Sequence, residues 1–380
     1  MYYMSGEDAI TTKYARIYAW LRLELDSDRI RVGERLPSEN ELCERFAASR
    51  PAARQALARL AHDGMIRTIR GSGSFRAEPP STRSRDAALV LPALSTYIYP
   101  ELVEAASAAF RERGFQTLID CTDGNPATER RILESLRVRR PACVVVSPIK
   151  GLAEGEEGAA SEPTCLDLLL DLKAAGTEVL LLDNELGAGR FSSIVIDDRQ
   201  GGQRAVEFLW AKGHRAIAIA ARRGHAPFGA RRLGALAALA ARGIEIGPLC
   251  ELDAGGLGSD RPDSREAMRA ALDRRISEGT VPTAVFCAND RLASVLAELL
   301  AERGLRVGAE ISLVGFDDSP LALGPALDLT TFAYPSRWIG QRAAELLAEA
   351  VGDRGPRSLV RVSLEPELVE RGSVRDLAQA

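Results

Sequence analysis

The chain has 380 residues, 46% of them hydrophobic and 27% charged, with a net charge of −4; this is too long for one ordinary core and too apolar for a disordered chain, so two or three domains are expected. Six scattered cysteines (Cys43, Cys121, Cys143, Cys165, Cys250, Cys287) form no Cys-x-x-Cys pair and no Cys/His cluster, which argues against a disulfide framework or a zinc site. The start, MYYMSGEDAITTKY, lacks the pattern of a signal peptide, and no uncharged apolar run of membrane-spanning length occurs, so the expectation is a cytoplasmic protein with reduced thiols, no metal and no membrane partner.

Charge is unevenly spread. Residues 1–85 carry 15 Arg and Lys against 11 Asp and Glu, a net of +4, and the remainder stands at −8. A basic head on an acidic body suits a head that meets phosphate. Ile10, Tyr14, Ile17, Leu21 and Leu25 recur at helical spacing, with Thr11 or Thr12 as a cap. After a turn at Gly33, Ser38 and Glu41 make a capping box that opens a short helix over about 39–47, with Leu42 and Phe46 facing inward. Ser49 is placed to cap the next helix, and Pro51 suits its first turn, whose N–H groups lack intrahelical partners. Ala53, Leu57 and Leu60 line the buried side of this helix, Arg50 and Arg54 face away from it, and Gly64 stops it. Two short helices with arginines exposed at the start of the second have the geometry of a recognition helix entering the major groove. Met65–Ile69 and Ser74–Arg76 then read as two strands around the tip Arg70-Gly71-Ser72-Gly73, a wing for an adjacent backbone or minor groove. Residues 1–76 are thus predicted to be a winged helix-turn-helix whose partner is double-stranded DNA.

The stretch RLPSENELCERFAASRPAARQALARLAHDGMIRTIRGSGSFRA resembles the DNA-binding domain of GntR-type regulators. It shares the LPSE start, the SR-x-x-x-R recognition helix, the G-[LM]-I turn and the G-x-G-x-F wing. The resemblance implies DNA contacts by Ser49, Arg50 and Arg54, a phosphate contact by Ser38, and a wing contact by Arg70 and Gly71. Asn40 stands where arginine is common, and Pro51 and Ala52 where threonines are common, so base preference at Asn40 and Pro51 is expected to differ.

Residues 77–86 (AEPPSTRSRD) read as a linker, and the body from 87 to 380 alternates strands with helices. Strand candidates are Ala88–Leu91, Thr117–Ile119, Cys143–Val146, Val179–Leu182, Ile194–Ile196, Ile217–Ala220, Ala284–Cys287 and Ser312–Phe316, with several helices ending at Gly114, Gly176, Gly213 and Gly304. This is the logic of βαβ units, and about 295 residues of it suggest two lobes, each a parallel sheet with helices on both faces. Residues 150–163 read as a surface insertion. Ligands bind beyond the carboxyl ends of such strands. The polar residues there are Tyr97 and Tyr99, Ser147, Asp183, Asn289 with Asp290, and Asp317 with Asp318; Asn289 also suits the cap of the following helix.

VFCANDRLASVLAELLAERGLRVGAEISLVGFDDSP, LDLTTFAYP and EPELVERGS are similar to the effector-binding domain of LacI-type regulators, which is related to periplasmic sugar-binding proteins. The similarity covers roughly 87–375 and implies two Rossmann-like lobes joined by three crossovers, with ligand in the cleft. It carries a polar clamp onto Asp183, Arg231, Asn289 and Asp317, with Tyr97, Tyr99 and Tyr334 in the cleft. Carboxylates, an amide and an arginine bind hydroxyls while aromatics pack on a ring face, so a sugar is the first expectation. A GntR-type head on a LacI-type body is the arrangement of arabinose-responsive AraR-type repressors. It implies a homodimer on a pseudo-palindromic operator, released from DNA by its effector, with corepression as the alternative. Arg222, Arg223, His225, Arg231 and Arg232 leave open an anionic effector instead. No nucleophile–base motif, phosphate loop or GxGxxG follows a strand, so neither an enzyme nor a cofactor is expected.

Overall fold

The structure is a computed structural model, and it describes residues 13–378 apart from 28, 32, 64, 70–71, 77–84, 95–97, 150–164, 223–225, 248–249, 254–261, 325–326 and 353–357. Ile10, Thr11, Thr12, Gly64, Arg70, Gly71, Tyr97, Arg223 and His225, and nearly all of the expected linker and surface insertion, lie outside the described residues. The chain divides into two compact units, Met1–Arg83 and Ser84–Ala380.

The first unit contains α1 (Lys13–Asp26), α2 (Glu39–Phe46), α3 (Arg50–His62), β1 (Ile66–Ile69) and β2 (Gly73–Arg76). Its core is the apolar stripe of α1, Ile17, Leu21 and Leu25, closed by Leu42, Ala53, Ala56 and Leu60. The capping box of α2 forms in both directions, with Glu41 N–H on Ser38 Oγ at 3.3 Å and Ser38 N–H on Glu41 Oε2 at 2.7 Å. The helix ends at Ala47 in the left-handed region, φ 46°, and this sharp turn brings α3 on at once. Ser49 occupies the N-cap of α3, yet its side chain makes no cap hydrogen bond. A cap oxygen accepts from the second or third amide of the helix, and Pro51, second in the helix, removes one of these two donors. The two wing strands pair antiparallel from Ile66 opposite Arg76 to Ile69 opposite Gly73. The segment before α2 lies along β2 as well, through Leu36 N–H on the Ser74 carbonyl (2.8 Å) and Arg76 N–H on the Glu34 carbonyl (2.9 Å).

The second unit opens with β3 (Asp86–Leu91), α4 (Tyr99–Glu112), β4 (Gln116–Cys121), α5 (Pro126–Arg139), β5 (Cys143–Val146), α6 (Leu166–Ala174), β6 (Glu178–Leu182) and β7 (Ser192–Ile196). It continues with α7 (Asp198–Ala211), β8 (Ile217–Ala221), α8 (Ala226–Ala240), β9 (Glu251–Asp253), α9 (Pro262–Ser277), β10 (Ala284–Cys287), α10 (Asp290–Ala301) and β11 (Ser312–Val314). The last part holds β12 (Leu323–Gly324), β13 (Leu327–Asp328), β14 (Thr331–Ala333), α11 (Ser336–Gly352), β15 (Arg361–Leu364) and β16 (Glu367–Val369). One parallel sheet has the order β4-β3-β5-β6-β7-β15, and the other β9-β8-β10-β11. The chain passes between them three times, from β7 into α7, from β14 into α11, and from β15 into β16, which pairs antiparallel with β14. All eight expected strands are present, and the fold is the expected α/β pair of parallel sheets. The strand expected over 312–316 stops at Val314, because the next residues turn away with Asp317 and Asp318 at φ 106° and 48°.

Both sheets reverse strand order beside their first strand, between β3 and β5 and between β8 and β10. Such switch points open a crevice at the strands' carboxyl ends. Close helix crossings carry the flanking helices. A Cβ at Gly202 of α7 would overlap the Arg231 carbonyl of α8, and one at Gly340 of α11 would overlap the Leu102 carbonyl of α4. Among the described residues, no helix is long and apolar enough to cross a membrane.

Candidate functional sites

On the head, α3 presents Arg50, Pro51 and Arg54 to solvent, and Asn40 is exposed on α2. Arg54 is not a free cation. Its Nε and Nη2 fork onto the two Glu39 oxygens at 2.9 and 3.0 Å, and this contact holds the Glu39 carboxyl below the usual range. Ser49 keeps an exposed hydroxyl that caps nothing, whereas Ser38 spends its hydroxyl proton on Glu41 Oε2 at 2.7 Å. The structure thus brings Ser49, Arg50, Pro51 and Arg54 together at the start of one helix, with Ser38 and Asn40 at the start of the helix before it. Glu39 is the neighbour that the sequence reading did not single out; its place in the first turn of α2 disguised it as a partner for the helix dipole.

In the body, the carboxyl ends of the strands converge on two linked groups. Asp183 follows β6 in the left-handed region, φ 61°. Its Oδ2 accepts the Ser147 hydroxyl at 2.7 Å, from the end of β5, and its Oδ1 accepts the Tyr334 hydroxyl at 2.7 Å, from the crossover after β14. Tyr99, at the start of α4, feels the charges of Asp183 and Asp317. Burial pushes the Asp183 carboxyl up and the phenols of Tyr99 and Tyr334 well up. Ser147, Asp183 and Tyr334 meet in one hydroxyl–carboxylate network, with Tyr99 beside it.

The second group centres on Arg231, one turn into α8. Its Nε donates to Asp198 Oδ1 at 2.7 Å, and its Nη1 reaches the Ala288 carbonyl at 2.7 Å and Asp317 Oδ1 at 3.2 Å. The guanidinium lies 3.6 Å from the centre of the Phe316 ring. Asp198 is lifted to about 6, chiefly by burial against which Arg231 pulls, with Asp183 and Asp317 pushing the same way as burial. These mutual influences link the two groups across the cleft. Asn289 takes its plainer role in part: its Oδ1 caps α10 by accepting Leu292 N–H at 2.9 Å. Asp318 pairs outward with Arg371 at 2.7 Å. Arg232, one of the clustered cations, is forked onto Glu251 at 2.6 and 2.8 Å. Asp198 and Phe316 are the cleft residues that sequence reasoning missed. Asp198 reads as an ordinary first-turn acid, and only the fold shows that α8 brings an arginine onto it. Among the described residues, no group of three His, Cys, Asp or Glu could hold a metal ion.

A carboxylate ringed by hydroxyls and an arginine held between two carboxylates form a largely buried polar cluster, built of the groups that bind hydroxyls. Residues 13–75 match the bacterial regulatory proteins of the gntR family, and residues 206–374 match the periplasmic binding protein-like domain. The arabinose metabolism transcriptional repressor of Geobacillus stearothermophilus is 28% identical over 96% of this chain and 98% of its own length. The repressor of the same name from Halalkalibacterium halodurans is 27% identical over 96% and 97%. Among solved structures, a complex of the transcriptional regulator CelR with cellobiose superposes with a TM-score of 0.63 at 24% identity, covering 86% of this chain and 91% of its own.

Proposed function

We propose that this chain, which joins a gntR-type DNA-binding domain to a periplasmic-binding-protein-like body, is a transcriptional repressor that a small neutral sugar releases from its operator. One observation carries the choice of a neutral ligand. Among the described residues, two cations of this cluster are matched, Arg231 by Asp198 and Asp317 and Arg232 by Glu251, so an anionic effector at these two would enter against three nearby carboxylates. A hydroxyl donor finds acceptors there instead. The names of the two full-length relatives make arabinose the first sugar to test. The ligand contacts of this reading are Tyr97, Tyr99, Ser147, Asp183, Arg231, Asn289, Asp317 and Tyr334, to which the geometry adds Asp198. DNA is held by Ser38, Asn40, Ser49, Arg50, Pro51 and Arg54, and by the wing at Arg70 and Gly71. The head spans residues 1–76, the linker 77–86, and the body from 87 onward pairs two copies on a pseudo-palindromic operator in the cytoplasm.

The test is a gel-shift titration of the purified protein against the region upstream of its own gene, with arabinose, ribose, cellobiose and a sugar phosphate added in turn. Release by one neutral sugar is the expected result. Release by the sugar phosphate alone would overturn the neutral ligand, and tightening by a sugar would reverse the sign to corepression.

A further inference from the structure

Asp290 stands among the polar residues expected to face a ligand, but in the structure it faces inward. It opens α10 with no exposed surface, and the loop that follows β11 wraps around it. Its N–H donates to the Phe316 carbonyl at 2.9 Å. Its Oδ2 accepts the Ser319 N–H at 2.7 Å, and its Oδ1 accepts the Thr331 hydroxyl at 2.6 Å. A Cβ at Gly315 would overlap Asp290 Oδ1, so the loop sits closer to the carboxylate than any residue but glycine allows.

Two of these hydrogen bonds, at Phe316 and Thr331, lead to cleft residues. Phe316 is the face on which Arg231 lies, and Asp317 is the carboxylate Arg231 touches. Thr331 opens β14, which is laced to the same loop by Asp317 N–H on the Phe332 carbonyl at 2.7 Å and Tyr334 N–H on the Asp317 carbonyl at 3.1 Å. Tyr334 in turn supplies the hydroxyl held by Asp183. Asp317 and Asp318 hold positive φ, a conformation that persists in residues other than glycine only when the surroundings over-determine it.

We infer that Asp290 is the positioning residue of the effector cleft: it touches no ligand, and by fastening the 315–319 loop to Thr331 it sets Asp317, Arg231 and Tyr334 in register. The inference rests on reading this cleft as the effector site. Burial, aided by the charge of Asp317, lifts the Asp290 carboxyl to about 7, so the ionised group is held at a cost to stability. Such a cost is expected where function retains the group.

The test compares the full-length protein with Thr331→Val, Asp290→Leu and the conservative Asp290→Asn, whose amide oxygen can still accept from Ser319. Two measurements are made, hydrogen exchange of the sugar-free protein and calorimetric titration with arabinose. Thr331→Val and Asp290→Leu are expected to exchange the Ser319 and Tyr334 amides about tenfold faster or more, and to bind arabinose about tenfold more weakly or worse. Asp290→Asn is expected to stay within about threefold of wild type in both, with exchange in the first helix of the head unchanged in every variant. A general loss of structure would speed exchange throughout and would not be rescued by the asparagine. Should Asp290→Leu fail to fold, Thr331→Val carries the test. Wild-type protection at Ser319 and Tyr334 in Thr331→Val would overturn the inference. If the wild type binds no arabinose, arabinose is excluded as the effector, and exchange alone still decides the role of Asp290.

Discussion

At the scale of single residues, the Glu39–Arg54 fork changes what the recognition helix has to do. An arginine that reads in the sequence as a free DNA contact is held in the structure by a carboxylate one helix away. With Arg54 highly exposed, the pair is weak and can open to let the guanidinium turn to a base or phosphate. Arg54→Ala is therefore expected to weaken operator binding by about 5- to 150-fold, while Glu39→Gln changes it by no more than about fivefold. An unchanged gel-shift midpoint for Arg54→Ala would remove this helix from the DNA interface. Asp290 gives a second prediction, set by protons. Its carboxyl titrates near 7, above the ordinary value of about 4 that it has in an unfolded chain. The folded state therefore binds the extra proton between those values, and the contribution of this group to stability falls as pH rises through that window. Asp290→Asn has no such proton. Its thermal midpoint relative to wild type is expected to be most favourable near pH 8 and to lose ground toward pH 5.5. Taking the difference cancels the opposite contribution of His214, whose ring is pushed down by burial. A difference that stays level across the range would contradict the raised carboxyl.

At the scale of elements, local signals were legible where one segment settles its own structure. The capping box of α2 and the four-residue apolar runs of β5 and β10 needed no information from elsewhere in the chain. The three residues of β9, and β14 and β16 with three each, carry too short a pattern to stand out from turns; their partners, distant in sequence, make them strands. The cleft divides in the same way. Asp183, Asp317 and Tyr334 sit where strand ends and a known motif place them, whereas the Asp198–Arg231 pair depends on α7 crossing α8 at glycine distance. Gly202 makes that crossing possible, and Gly234 repeats the device, since a Cβ there would overlap the Arg199 carbonyl. Gly202→Val would wedge α8 away from α7 and draw Arg231 off Asp198. Overpacking of this kind costs about 1–3 kcal/mol, which should appear as a lower thermal midpoint together with weaker sugar binding. A valine variant with the wild-type midpoint would show that the two helices do not need to touch.

At the scale of the whole molecule, release of DNA by a sugar requires that sugar and operator compete through a shared conformational equilibrium. Such coupling is reciprocal, because the free energy of the four-state cycle is independent of path. If saturating sugar weakens operator affinity by some factor, saturating operator must weaken sugar affinity by the same factor, typically about 5- to 150-fold. In this reading the bonds of the cleft carry the exchange. Ser147, Asp183 and Tyr334 are joined to one another, and Asp198, Arg231 and Asp317 likewise, so an entering hydroxyl must take its place among bonds that span two lobes and a crossover. A ligand can shift an equilibrium only by its difference in affinity for the two states, and those pre-formed bonds are where the difference can arise. The measurement is calorimetric titration of arabinose into the free protein and into the protein saturated with operator, beside the operator affinity with and without arabinose. Equal factors from the two routes are expected. A sugar affinity that operator leaves untouched, with operator release still observed, would mean that the sugar acts at a place other than this cleft or through a second component.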